Sequence, residues 1–287
     1  MDTSSTPMIS NSSEEKKIST DKNGKYIVSQ NLEYLCRIIQ DLSYFSSSII
    51  FIAKGDQFLL CTYNPSSSLF SKTTLQRKFF TLIDTTFLPD EDSQCCISSE
   101  SANLVFKIPR ETLDDINYLR IDIDSSKDFI DIMFFGPSQV IEAIKIDQIT
   151  FINPIDNYLS CHDRGEFFIV SSLDIWENLF KRQHHAFSQV ILSLKNEVIV
   201  IKLREQNTGK ISNFCMEINT NNFIQYNKEK ESTISFSYGE FAKACKIISK
   251  LSRVFALEYV SGEAPLKMTG YQSELVDFEI FFPCNIE

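Results

Sequence analysis

Two short apolar runs, YIVS at Tyr26 to Ser29 and FIVS at Phe168 to Ser171, each open the same succession of hydrophobic and polar positions. The first is followed by QNLEYLCRIIQDL, in which Leu32, Leu35, Cys36, Ile39 and Leu42 recur at helical spacing. The second is followed by SLDIWENLFKRQ, which reads as a helix through Leu173, Trp176, Leu179 and Phe180. Each expected helix leads into a hairpin of apolar strands, SSSIIFIAKGDQFLLCTY and SQVILSLKNEVIVIKL, turning at Lys54-Gly55-Asp56 and Lys195-Asn196-Glu197. Later in each half a strand is expected to run into a second short helix, in LVFKIPRETLDDI from Leu104 and ISFSYGEFAKACKII from Ile234. Both halves close on strands: YLRIDID, FIDIMFF and QVIEAIKI in the first, FALEYV, PLKMTGY and VDFEIFF in the second. Order repeated over this length points to an internal duplication and hence to two similar domains.

The pattern sets the expected boundaries. Residues 1–22, rich in Ser, Thr, Lys and Glu, read as a disordered tail. The first domain spans 23–150 and the second 166–287. Between them Phe151 to Gly165 has turn formers and no sustained periodicity, and reads as a connector.

The segment GEFAKACKIISKLSRVF, Gly239 to Phe255, carries a further signal. On a helical wheel Lys243, Lys246, Lys250 and Arg253 fall within an arc of about 80°. Phe241, Ala244, Cys245, Ile247, Ile248 and Leu251 fill most of the other side. A run of charge is ordinarily a solvated face. A purely basic face in a chain of net charge −10 also fits a surface built for phosphates.

Composition narrows the class. The 287 residues are 43% hydrophobic, enough for packed cores, and 24 Phe against 8 Gly and 8 Pro favour a strand-rich fold. No apolar run approaches the ~20 residues of a membrane span, and the polar N-terminus lacks the apolar core of a signal peptide, so a soluble intracellular protein is expected. Cys36, Cys61, Cys95, Cys96, Cys161, Cys215, Cys245 and Cys284 are scattered without a CxxC pair, as for free thiols in a reducing compartment. His162, His184 and His185 are the three histidines and offer no zinc-ligand spacing; no cofactor and no metal are expected.

The residues NLEYLCRIIQDLS, LLCTYNPSSSLFSKTTLQRKFF with its Phe79-Phe80 pair, and FCMEINTNNFIQYNKEKESTISFSYGEFAKACKIISKLS resemble the sliding clamp family, which includes proliferating cell nuclear antigen. In detail they resemble the Rad9 subunit of the nine-one-one checkpoint clamp, over roughly Lys25 to Cys284. The resemblance implies an α+β, two-domain DNA clamp fold, with outer antiparallel sheets and inner helices lining a ring. It implies a nuclear subunit that encircles duplex DNA in the DNA damage checkpoint and in repair. The implied partners are two related clamp subunits, duplex DNA held by its phosphates without sequence specificity, a clamp loader, and repair enzymes bearing short aromatic-anchored peptides.

On that resemblance the DNA-facing residues are Lys243, Lys246, Lys250 and Arg253, with Lys181 and Arg182 from the helix after Ser172, and Arg37 and Arg110 from the first half. The first half also carries Glu33, Glu111, Asp114 and Asp115, so its inner wall is expected to be close to neutral or acidic, which favours a ring of unlike subunits. A groove for partner peptides would be formed by Phe151, Ile152, Ile155, Tyr158 and Leu159 of the connector, residues equally suited to packing a connector on its sheets. Family members usually continue into a phosphorylated C-terminal tail; signalling through one is not expected of this chain, and Ser12 and Ser13 beside Glu14 and Glu15 are a weak substitute.

Two other readings stand beside this one: a homotrimeric replication clamp, and a 3′-5′ exonuclease acting on DNA ends. Asp122, Asp124, Asp128 and Asp131 are the densest acidic group, and by alternation Asp122 and Asp124 share a strand face, which is also what an exposed strand looks like. Cys161-His162 is an adjacent pair, a poor geometry for a nucleophile and its base. The expectation is a protein that is not an enzyme.

Overall fold

In the computed structural model the described residues are 26–64, 69–83, 93–123, 128–150, 167–176, 179, 186–259, 265–270 and 274–286. The first half runs β1 (Tyr26–Ser29), α1 (Leu32–Ser43), β2 (Ser48–Lys54), β3 (Gln57–Asn64), β4 (Leu69–Leu75), β5 (Leu82–Ile83), β6 (Ser93–Ser98), α2 (Ser99–Phe106), a single turn α3 (Arg110–Leu113), β7 (Tyr118–Asp122), β8 (Phe129–Phe135) and β9 (Val140–Asp147). The second runs β10 (Phe167–Ser172), β11 (Phe187–Leu194), β12 (Val198–Glu205), β13 (Ile211–Asn219), β14 (Gln225–Lys228), β15 (Ser232–Ser237), α4 (Tyr238–Leu251), β16 (Val254–Tyr259), β17 (Leu266–Gly270), β18 (Val276–Phe282) and β19 (Cys284–Ile286).

The strands form three antiparallel sheets, and their orders expose the duplication. One sheet is β5-β1-β7-β8-β9, a second is β13-β12-β11-β15-β19, and the central sheet is β14-β10-β16-β17-β18-β4-β3-β2-β6. The first five strands of the central sheet repeat the order of the β5 to β9 sheet, and its last four repeat β13-β12-β11-β15. The two domains therefore share one topology, and they meet where β18 pairs with β4 from Val276↔Leu75 to Phe281↔Phe70. Within the chain each expected strand of the closing sets is present.

Alternation along the central strands builds two layers of core. Ile49, Phe51 and Ala53 of β2 point into the main cluster, while Ile50 and Ile52 join Leu59, Cys61, Phe70, Cys96 and Phe281 on the opposite face. Helices α1 and α2 pack on β2, and α4 packs on β17 and β18, on the main-cluster side. The β2–β3 hairpin closes at Gly55, whose φ of +57° suits a residue without a Cβ. Phe79 and Phe80, with rings 5.2 Å apart, seal the first domain's core.

One expected element differs, and another is described only in part. Leu104 to Phe106, expected as a strand running into a helix, are themselves the last turn of α2: Ser98 Oγ accepts the Ser101 amide at 3.0 Å and caps this helix, which ends at Phe106 before Pro109, and the helix expected beyond it is the single turn α3. Of the expected helix after Ser172, the described residues are a 3₁₀ turn at Leu173–Ile175, Trp176 and a helical Leu179, the last two fully buried; the rest lies outside the described residues.

Candidate nucleic-acid interface

Helix α4 places the basic stripe. Ser237 Oγ accepts the Glu240 amide at 3.3 Å, with Glu240 three residues inside, so the N-terminus is fixed by a cap and an acidic first turn. Phe241, Ala244, Cys245, Ile247 and Ile248 are buried against β11, β15, β17 and β18. That leaves Lys243, Lys246 and Lys250 on the outer face.

The stripe is shorter than the wheel implies. Ser252 is extended, with φ −146° and ψ 149°, and the chain enters β16 at Val254, so Arg253 lies off the helix. Its guanidinium sits 3.5 Å from Asp174, in an exposed pair that solvent screens.

Lys250 is also not a plain surface cation. Its Nζ is paired with Oδ1 of Asp41 on α1, a residue only 7% exposed, whose Oδ2 has no hydrogen-bond partner. The Arg37 guanidinium donates to the Lys250 carbonyl at 3.3 Å, placing a cation at the C-terminus of α4. These contacts join helices of different domains. By contrast, among the described residues Lys243 and Lys246 are exposed with no anionic partner. The three lysines, Ile247, Asp41, Tyr44 and Phe45 enclose a cleft of about 390 Å³ between α1 and α4.

The remaining expected positions divide. Arg110 is exposed on α3, away from that cleft, among Glu111, Asp114 and Asp115. Lys181, Arg182, His184 and His185 lie outside the described residues, as do Phe151, Ile152, Ile155, Tyr158 and Leu159 of the connector, and Cys161 and His162. With the capping residues Ser98 and Ser237 matched, the counterpart of Lys243 on α2 is Leu104, 77% exposed, and that of Lys246 is Lys107. Lys107 was visible only as one lysine before a proline.

Among the acidic candidates, Asp122 is held by Arg120 at 2.6 and 3.1 Å, and Arg120 lies 3.9 Å over the Tyr26 ring. Asp131 is its cross-strand neighbour, and Asp124 lies outside the described residues. Among the described residues no group of three or more His, Cys, Asp or Glu is placed to hold a metal ion. None of the described helices is long and apolar enough to cross a membrane.

Known structures share this architecture. Proliferating cell nuclear antigen from Entamoeba histolytica aligns at a TM-score of 0.63 with 13% identity, over 92% of this chain and all of the other. The PCNA2–PCNA3 complex from Sulfolobus tokodaii aligns at 0.64 with 12% identity, over 91% of this chain and 99% of that one. The protein has the sliding clamp fold. A family model for Rad9 matches residues 35–282, most of the chain, and no curated protein matches significantly. The chain belongs to the Rad9 family of clamp subunits.

Proposed function

We propose that this chain is one subunit of a heterotrimeric checkpoint clamp that closes around duplex DNA in the nucleus and recruits repair and signalling partners. The observation that carries the reading is a pair of open sheet edges. In the duplicated topology β9 is the counterpart of β18 and β13 is the counterpart of β4. Inside the chain β18 and β4 pair; among the described residues β9 and β13 are edges, with Val140, Ile141 and Ile211 exposed on them. An unpaired edge is a template for another chain, and one edge of each kind gives head-to-tail contacts that close into a ring.

Register favours unlike neighbours. The internal junction includes the Glu279–Lys72 ion pair, whose strand counterparts are Ala143 and Cys215, so a ring of identical copies would lack that pair at every junction. This sets the heterotrimer above a homotrimeric replication clamp. No catalytic role is proposed: clamps act by enclosure, and Asp122 is already neutralised by Arg120.

The same reading puts α4 on the inner wall. Lys243 and Lys246 contact phosphates there, with Lys107, Arg37 and the half-committed Lys250 nearby, a sequence-independent and salt-dependent attraction that permits sliding. The PCNA2–PCNA3 complex, a pair of unlike clamp chains, supports partners of this kind. A clamp loader and short aromatic-anchored partner peptides complete the proposal.

The test is co-expression with two related clamp subunits, with native mass and DNA binding measured over a salt series. The expected result is a three-chain ring whose Lys243→Glu/Lys246→Glu form binds nicked circular DNA more weakly and with a shallower salt slope, by about two counterions. A trimer of the chain alone would replace the heterotrimer reading. Identical slopes for the two rings would remove the phosphate role of α4.

A further inference from the structure

The α1–α4 cleft has more than a duplex wall requires. A duplex presents phosphates to cations on a smooth surface and leaves its bases stacked inside. Here the three lysines surround an apolar recess whose floor is buried Phe45 and Ile247, and at its mouth stands Tyr44, 77% exposed. An exposed ring at the C-cap of α1, next to cations on a chain of net charge −10, is conspicuous. The volume of about 390 Å³ lies in the small-ligand range.

The lining states the chemistry of an occupant. Among the described residues it carries three cations against the single carboxylate of Asp41, which Lys250 already pairs. The occupant is therefore anionic at the rim and flat and apolar within. Aromatic platforms beside a positively charged groove are how proteins hold unpaired nucleotides, because every base offers a face for stacking. Resting on the inner-wall reading above, we propose that the cleft is a site for an unpaired nucleotide of single-stranded DNA. The base stacks on Tyr44 over Phe45 and Ile247, and its flanking phosphates sit against Lys243 and Lys246. The ring would thus hold DNA by two modes, phosphates alone where the strands are paired and stacking in addition where a base is free.

The test uses the assembled ring with a fluorescein-labelled dT15 strand and with a fully paired 15-base-pair duplex. Tyr44→Ala should weaken dT15 binding about tenfold and leave duplex affinity within about twofold, while Tyr44→Phe restores the parent value. Because Tyr44 is exposed, its truncation leaves folding intact, which a thermal melt checks. A dT15 strand containing one 5-iododeoxyuridine should crosslink on irradiation to a peptide containing Tyr44. Equal dT15 affinity for parent and Tyr44→Ala would overturn the site, and so would binding of a poly-glutamate peptide that depends on Tyr44 in a ring that ignores dT15. If Lys243→Glu/Lys246→Glu weakens duplex binding while Tyr44→Ala changes nothing, this inference fails and the phosphate reading stands. If the lysine variant leaves duplex binding untouched, the underlying reading fails instead.

Discussion

Lys243 and Lys250 are two helical turns apart and identical in kind, yet they differ in company. Lys250 faces a buried carboxylate, so removing its charge leaves Asp41 uncompensated, with Oδ2 already unpartnered. Lys250→Met is expected to cost about 2 kcal/mol in urea unfolding, less than a fully buried pair because the lysine keeps 39% exposure, while Lys243→Met should cost under about 0.5 kcal/mol. Equal costs would refute the distinction. The thiols give a pH dependence. Burial pushes Cys36 and Cys61 from an ordinary 9.0 up to about 12, the Cys61 thiol being further tuned down by Lys72 and up by Glu279. The folded chain keeps protons there that the unfolded chain loses, so stability is full below pH 9 and declines as pH rises toward about 12. Each such thiol contributes a slope of about 1.4 kcal/mol per pH unit in that window. Unfolding measured from pH 8 to 11 should show this decline, and Cys36→Ala, compared with its own value at pH 8, should flatten it.

Helix α4 shows how one element serves two purposes without conflict. Its apolar side anchors the second domain and its outer side is free to be charged, since 3.6 residues per turn keep the two apart. Ser237→Ala removes the cap and should lower stability by about 1 kcal/mol without altering affinity for DNA. Ile248→Asp buries a charge against Gly270 of β17 and should unfold the second domain, costing several kcal/mol; a cooperative melt unchanged from the parent would contradict the packing described. Helix α2, matched to α4 through its own serine cap, presents Leu104 instead of a lysine. On the inner-wall reading proposed above, the first domain would therefore contribute less positive charge than the second.

For the whole molecule the decisive feature is that, among the described residues, duplication leaves one junction closed and its counterpart open. The β18–β4 pairing is reinforced by Lys72–Glu279, by Gln76 Nε2 donating to Asp277 at 2.7 Å, and by the exposed Lys78–Glu274 pair at 2.9 Å. At the helix layer Lys250–Asp41 and the Arg37 contact bind the same two domains. Charging the open edge tests its role. Ile141→Lys with Ala143→Lys adds two cations to exposed β9 positions, which should leave the isolated chain's melting temperature nearly unchanged and abolish ring assembly in native mass measurements. Assembly of that variant at parental strength would place the contacts elsewhere.

The repeated strand, helix and hairpin order was legible because burial writes its period into the chain. YIVS and FIVS, the hairpin turns and the closing strands needed only alternation and punctuation to be found. The Lys243, Lys246 and Lys250 face was legible for the same reason. Helix α2 was not, because LVF reads as a strand and the helix that Ser98 caps has too few apolar residues for its period to stand out. Arg253 was misplaced because a wheel has no end, whereas the chain turns extended at Ser252 to enter β16. The sharing of Lys250 with Asp41 could not be read from a line of residues: Arg37 and Asp41 hint at a common face of α1, but their partners lie more than 200 positions away. Nothing in the sequence around Tyr44 singles it out; the packing of α1 against α4 sets three lysines beside it. Local periodicity determines which side of each element is wet; which wet sides confront one another depends on contacts distant in sequence, and these only the folded chain supplies.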